Sequence, residues 1–311
     1  MTAPSSLYLQ PSEYADYGVP QATTVQVRAA TKLIDAHLAR PEGLIYQTDA
    51  AGNPCYMVAP TPKFTLTAGA AISPGSSVVL PYAGARLDNN SIGEVLVLDR
   101  TDDTLVEACV IQGLTPAVDG NPATITLQTI NNSHASGCTM DVGLSICEEF
   151  ELPDDRSIAR MSRPQAISLQ SGIGRYGYGR RSQQITGDFQ EFNLLAAVSS
   201  FGGPPLWIPW SVDNASVNYR TGEVWVPAGV LLAYFTDVRI WYVAGFTQVN
   251  LPENVKQACA NIILLGKETG LGANIRSRGV MNGITVSKWE NNMIDANTRD
   301  ILKEYNLRRF I

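Results

Sequence analysis

Gly93-Glu-Val-Leu-Val-Leu98, Val106-Glu-Ala-Cys-Val-Ile111 and Ala123-Thr-Ile-Thr-Leu-Gln128 are the stretches that decide the fold of this chain. Each is a short run of β-branched and aliphatic residues, too short for a helix of ordinary length and bounded by turn residues. Phe64-Thr-Leu-Thr67 and Ser77-Val-Val-Leu80 read the same way. Ser73-Pro-Gly75, Asp88-Asn-Asn90 and Asp119-Gly-Asn-Pro122 punctuate them, because these residue types accept a left-handed backbone or fix φ. Five short strands at this density predict a small sandwich or barrel, and the pattern alone does not choose between the two.

Outward from that block the periodicity changes. Thr24 to Ala39 reads as a helix, with Val27, Ala30, Ile34 and Leu38 on one face and Pro41 and Gly43 as stops. Thr23 and Gln26 have capping-box spacing. Towards the other end, Asn250 and Glu253 offer a second capping box with Pro252 in the first turn. Val255, Cys259, Ile262, Ile263 and Gly266 form the face of that second helix. A short strand at Ile284-Thr-Val-Ser287 and an amphipathic stretch from Asp295 to Phe310 follow. Between block and C-terminal helix lie a short helical stretch at 188–199 and a second strand group at 205–246, with a hairpin around Arg220-Thr-Gly222.

The fold expected is therefore α+β, with a helical domain built from both chain ends and a large β-rich insertion. The boundaries are 1–43 with 247–311 for the helical domain, 44–155 for the β-rich insertion, and 156–246 for an Arg/Gly loop with the second strand group.

Charge narrows the function classes. The net charge is −6, and residues 251–311 carry +3 of their own, so the rest holds −9. A protein gripping nucleic acid through phosphates needs a basic excess, which argues against tight DNA binding by the whole surface. Five cysteines, odd in number and without a C-x-x-C pair, suit reduced, buried thiols. Met1-Thr-Ala-Pro-Ser-Ser-Leu7 has neither a basic nor an apolar leader region, so no secretory signal is expected. The longest apolar stretch, Val224 to Phe235, is too short to span a membrane.

Several chemical motifs fail on context. Gly172-Ile-Gly-Arg-Tyr-Gly177 matches the dinucleotide fingerprint, but Tyr178-Gly-Arg-Arg181 follows it without helical periodicity. Only His37 and His134 are present, in different segments, and the cysteines show no ligand spacing, so neither a metal nor any other cofactor is expected. His134 lies between Ser133 and Ser136, without a nucleophile elbow. Glu148, Glu149, Glu151, Asp154 and Asp155 are the residues from which a glycosidase pair would come. Arg160, Arg163, Arg175, Arg180 and Arg181, interleaved with Tyr176 and Tyr178, either neutralise that acidic run or meet a partner. Arg175, Arg180 and Arg181 are the candidate intersubunit contacts.

Two segments carry a family resemblance. Tyr8-Leu-Gln-Pro-Ser-Glu-Tyr-Ala-Asp-Tyr-Gly-Val-Pro20, followed by Val25-Gln-Val-Arg-Ala-Ala-Thr-Lys-Leu-Ile-Asp-Ala-His-Leu-Ala-Arg-Pro-Glu-Gly43, resembles the opening of head–tail connector proteins of tailed bacteriophages. Val238-Arg-Ile-Trp-Tyr-Val-Ala-Gly-Phe246, followed by Leu251-Pro-Glu-Asn-Val-Lys-Gln-Ala-Cys-Ala-Asn-Ile-Ile263, resembles the strand and proline-started helix of the same family. Gly283-Ile-Thr-Val-Ser287 and Ile301-Leu-Lys-Glu-Tyr-Asn-Leu-Arg-Arg309 also fit. The resemblance covers roughly residues 1–43 and 237–311, and the long middle is additional to it.

That resemblance implies a virion structural protein and not an enzyme, made in the bacterial host's cytoplasm and placed in the neck at the head–tail junction. It implies an adaptor subunit of a dodecameric ring beneath the portal, joining the capsid to a downstream neck or tail protein. DNA would pass through the lumen without specific binding, and no membrane is involved. Tyr305, Leu307, Arg308, Arg309, Phe310 and Ile311 are the candidate portal-docking residues, because they combine apolar anchors with cationic donors. The alternatives are a tail or baseplate protein for fibre attachment, and a carboxylate-pair glycosidase.

Overall fold

The computed structural model describes residues 5–118, 122–152, 157–175, 207–227, 235–268, 275–281, 284–289 and 294–307. A six-stranded closed barrel occupies the block that the strand pattern singled out. Its strands are β3 (Phe64–Ala68), β4 (Gly75–Gly84), β5 (Val95–Leu98), β6 (Glu107–Thr115), β7 (Thr124–Ile130) and β8 (Thr139–Val142), in the order β3-β4-β7-β6-β5-β8. All neighbours are antiparallel. Closure decides between sandwich and barrel, and it removes the free edges that an open sheet would present.

Strand β5 shows why the apolar run Val-Leu-Val-Leu is needed. Leu96 and Leu98 point into the barrel with Leu66, Ile111, Ile125, Leu127 and Met140. Val95 and Val97 point the other way and are equally buried, Val97 in the core shared with the helices and Val95 beside Ile173 and Trp241. A strand covered on both faces reads as continuous apolar sequence instead of alternating.

Around the barrel lie a hairpin, β1 (Tyr46–Thr48) with β2 (Pro54–Met57), and two small sheets. One sheet has four strands, β9 (Ile146–Glu151), β11 (Ala166–Arg175), β12 (Ile208–Trp210) and β15 (Asp237–Ala244), in the order β12-β11-β15-β9. The other has three, β10 (Ile158–Arg160), β13 (Ser216–Asn218) and β14 (Glu223–Trp225), in the order β10-β14-β13. The turn joining β13 to β14 is the hairpin expected around Arg220-Thr-Gly222. A final hairpin pairs β16 (Ile275–Met281) with β17 (Ile284–Trp289).

Three α-helices are described: α1 (Thr24–His37), α2 (Glu253–Glu268) and α3 (Ala296–Leu302). Helix α1 starts on the expected box, with Gln26 N–H donating to Thr23 Oγ1 at 3.3 Å and Thr23 N–H to Gln26 Oε1 at 2.9 Å. It ends two residues early, because Ala39 turns left-handed at φ 54°. Ala39 N–H then donates to Ala36 O and Arg40 N–H to Asp35 O, a Schellman closure with alanine where glycine is usual. At α2 the expected box is not made: Asn250 N–H donates to Thr247 Oγ1 instead. Asp295 caps α3 by accepting from Thr298 N–H at 3.0 Å.

The expected helical domain built from both chain ends is overturned. Strand outweighs helix, 38% against 20%, and a six-stranded barrel stands at the centre. The apolar faces of α1 and α2 do meet, but they close over Ile45, Cys55, Tyr56, Val58, Val97 and Leu144, which come from strands or their flanks. Short helices of 14, 16 and 7 residues bury too little surface to form a core alone, so they cap β structure. The 188–199 stretch lies outside the described residues.

Candidate functional site

Three places gather functional side chains. The first is a buried polar seam between the N-terminal segment and the β9–β15 sheet. Tyr8, 1% exposed, donates its hydroxyl to Asp35 Oδ1 on α1 and accepts from Leu44 N–H at 3.0 Å. Burial pushes the Asp35 carboxyl up to about 6 against the opposing pull of Tyr8 and Lys32. Just beyond α1, Arg40 is wholly buried, with Glu42 Oε1 3.5 Å from its Nε. Glu42 also takes Arg163 Nε at 2.7 Å, and Arg163 Nη1 reaches Glu148 Oε1 at 2.6 Å. Ser162 donates both its N–H and its hydroxyl to Glu148.

The second place is the open side of the four-stranded sheet. Arg175, at the end of β11, pairs with Asp237 at 3.2 Å and with Glu149 at 3.6 Å. Arg239 on β15 holds Glu149 at 2.8 Å. Both guanidinium groups lie 4.6 Å from the centre of the Trp207 ring. Two acids of β9 are thus engaged inside this chain, Glu148 by Arg163 and Glu149 by Arg175 and Arg239. Arg180, Arg181, Asp154 and Asp155 lie outside the described residues. The G-x-G of the fingerprint match sits within β11, not in a phosphate loop. A Cβ on Gly172 would meet Trp210 Cζ2 at 2.0 Å, and one on Gly174 would meet Phe235 Cγ at 2.3 Å. These glycines make room for aromatic rings.

At the C-terminal end, Tyr305 is 3% exposed. Its hydroxyl donates to Asn254 Oδ1 at 2.9 Å and its ring stands edge-on to Phe246 at 5.9 Å. Tyr305 therefore serves the interior of its own chain. Leu307 is partly exposed just after it, and Arg308, Arg309, Phe310 and Ile311 lie outside the described residues.

The third place was not expected. At one end of the barrel Asp99, Glu107, His134 and Cys138 converge. His134, whose side chain is fully buried, has Nδ1 2.8 Å from Asp99 Oδ2 and Nε2 2.8 Å from Glu107 Oε1. Glu107 is itself held by the N–H groups of Asn131, at 2.9 Å, and Asn132, at 3.2 Å. One ligand atom each from Asp99, His134 and Cys138 lies within 4.8 Å of the others. Burial alone would push the imidazole down, but hydrogen bonds and charges from Glu107 and Asp99 outweigh it and hold its pKa above the ordinary value. Burial, with Asp99 adding to it, pushes the Cys138 thiol up to about 11, which argues against a Cys–His nucleophile. The one local signal in the sequence was the H-x-x-x-C spacing of His134 and Cys138. Asp99 and Glu107 reach them only through barrel closure.

No family model matches the chain, and no curated protein matches it.

Proposed function

We propose that this chain is a virion structural protein, an adaptor subunit that assembles into a ring beneath a phage portal. One observation carries the reading: the two segments that bear the resemblance, far apart in sequence, form one continuous packed unit. Leu7, Tyr8, Leu9, Val27, Ile34, Leu251, Val255, Cys259, Leu302 and Tyr305 share a single core. Polar ties cross it, with Gln248 Nε2 donating to Leu7 O at 3.2 Å and Lys256 Nζ to Glu13 Oε1 at 2.8 Å. Gly245 of the Ala-Gly-Phe motif passes so close to Leu44 that a Cβ would stand 2.2 Å from its carbonyl oxygen. Phe246 N–H then donates to Leu44 O, and Tyr46 N–H to Phe246 O.

A ring subunit acts by burying surface against identical copies, and its chemistry is assembly. The docking element in this reading is the segment after Tyr305, because Leu302 and Tyr305 are committed to the core. Co-sedimentation with portal rings of the same virion tests it, using the full chain and a truncation lacking residues 308–311. The full chain should bind and the truncation should not, while both keep the same melting temperature. Unchanged binding by the truncation would contradict the docking role.

The tail or baseplate reading is favoured by one feature. The barrel core draws only on residues between Phe64 and Val142, so the barrel is a self-contained module suited to carry an appendage. Three- or six-fold particles would support that reading. Hydrolysis by a carboxylate pair draws no support from β9, where Glu148 and Glu149 are each bound by arginine.

A further inference from the structure

The contact between His134 and Asp99 poses a chemical question. Glu107 is buried and already accepts two backbone N–H groups, and Nε2 of His134 lies 2.8 Å from it, so the Nε2 hydrogen is directed at Glu107. This leaves Nδ1 as the ring nitrogen that faces Asp99, 2.8 Å from its Oδ2. At that separation a proton joins the two atoms, since tetrahedral zinc would hold them about 3.3 Å apart. The thiol of Cys138 stands beside this pair; a soft donor there adds little to an ion pair, but with the imidazole and the carboxylate it makes up a ligand set.

We propose that Asp99, His134 and Cys138 bind a zinc ion, through Asp99 Oδ2, His134 Nδ1 and Cys138 Sγ. Their ligand atoms all lie within 4.8 Å of one another. Tetrahedral zinc places such donors about 3.3–3.8 Å apart, so Asp99 and His134 would part by about half an ångström and Cys138 would draw in by up to about an ångström. Glu107 supplies the outer partner that metal-bound histidines require, fixing the tautomer and turning Nδ1 towards the ion. The ligands come from the end of β5 and the β7–β8 connection, and the ion would pin these at one end of the barrel. His134 is already fastened there by paired hydrogen bonds with Ile72. Asp99 is 21% exposed at its side chain, so the site is reached from solvent. On binding, the thiol and the Nδ1–H of the imidazole would each give a proton to solvent, and the freed Nδ1 lone pair would be donated.

The test uses the full chain and metal alone. After chelation and dialysis, zinc should rebind at one equivalent per chain, and cobalt(II) should give the intense near-ultraviolet band of thiolate-to-metal charge transfer. Cys138→Ser should abolish the band, whereas Cys109→Ser and Cys147→Ser should keep it. Should Cys138→Ser fail to fold, Asp99→Asn serves instead, because an amide preserves the shape; it should weaken zinc binding at least tenfold. Glu107→Gln should weaken it by roughly ten- to a hundredfold. A chelator should lower the melting temperature of the wild type and leave that of Asp99→Asn unchanged. The proposal is overturned if cobalt gives no thiolate band, or if the band survives Cys138→Ser. It is equally overturned if nitrogen NMR shows both ring nitrogens of His134 protonated in zinc-saturated protein, since the cluster would then be a plain ion pair.

Discussion

The barrel and the seam between the chain ends are held together by opposite means. Inside the barrel, Leu66, Leu96, Ile111, Ile125, Leu127 and Met140 are each fully buried, and polar groups collect at one end. At the seam, Asp35, Arg40 and Glu42 are buried beside an apolar core, with Arg163 and Glu148 closing the chain of charges. Apolar packing tolerates small displacements and is insensitive to pH and salt. A buried ion chain is stable only while every partner is in place. The barrel therefore behaves as a fixed block, whereas the seam is specific and easily broken.

The largest effect is expected from cutting that chain. Arg163→Ala leaves Glu42 and Glu148 partly buried without their shared cation, and should cost about 3–5 kcal/mol in urea unfolding. Leu96→Ala in the barrel should cost about 3 kcal/mol through transfer and cavity terms. Salt should change neither cost much, because the charges of the seam are largely buried and buried pairs are screened little. Gly245→Ala should cost about 2–3 kcal/mol, since it combines a left-handed backbone at φ 121° with a clash against Leu44.

A further expectation concerns pH. Folding raises the Asp35 carboxyl from 3.8 to about 6, mainly through burial, so the folded chain keeps a proton there that the unfolded chain has lost. This group's contribution is fully present below pH 4, falls as pH rises to about 6, and is constant above it. Asp35→Asn should remove that fall. It should make the protein about 1–2 kcal/mol more stable at pH 7.5 and no more stable at pH 3.5, less whatever the Tyr8 hydrogen bond loses. Melting curves of both proteins across this range check the sign. The smallest effect belongs to Ala39→Gly at the end of α1, a gain of about 0.5–1 kcal/mol from relief at φ 54°.

What the sequence disclosed followed from periodicity. Five barrel strands, the α1 box and the β13–β14 turn were legible because each is a local pattern. Strand β8 was not, since Thr139-Met-Asp-Val142 is four residues long with an acid in it; Asp141 is accommodated by accepting from Thr65 Oγ1 at 2.5 Å. The helical character of the chain ends was overread. The faces of α1 and α2 are real, but a helical repeat does not reveal whether helix or strand covers it. The His134 cluster was hidden for a related reason. Two of its members are tied by H-x-x-x-C spacing, and Asp99 and Glu107 reach them only through the register of β5, β6 and the Ile72–His134 bridge.

Ring formation on a portal is tested most directly by the mass and symmetry of the purified chain, alone and mixed with portal rings, by light scattering and particle imaging. A twelve-fold ring seated on the portal is expected. A stable trimer or hexamer that ignores the portal would contradict it.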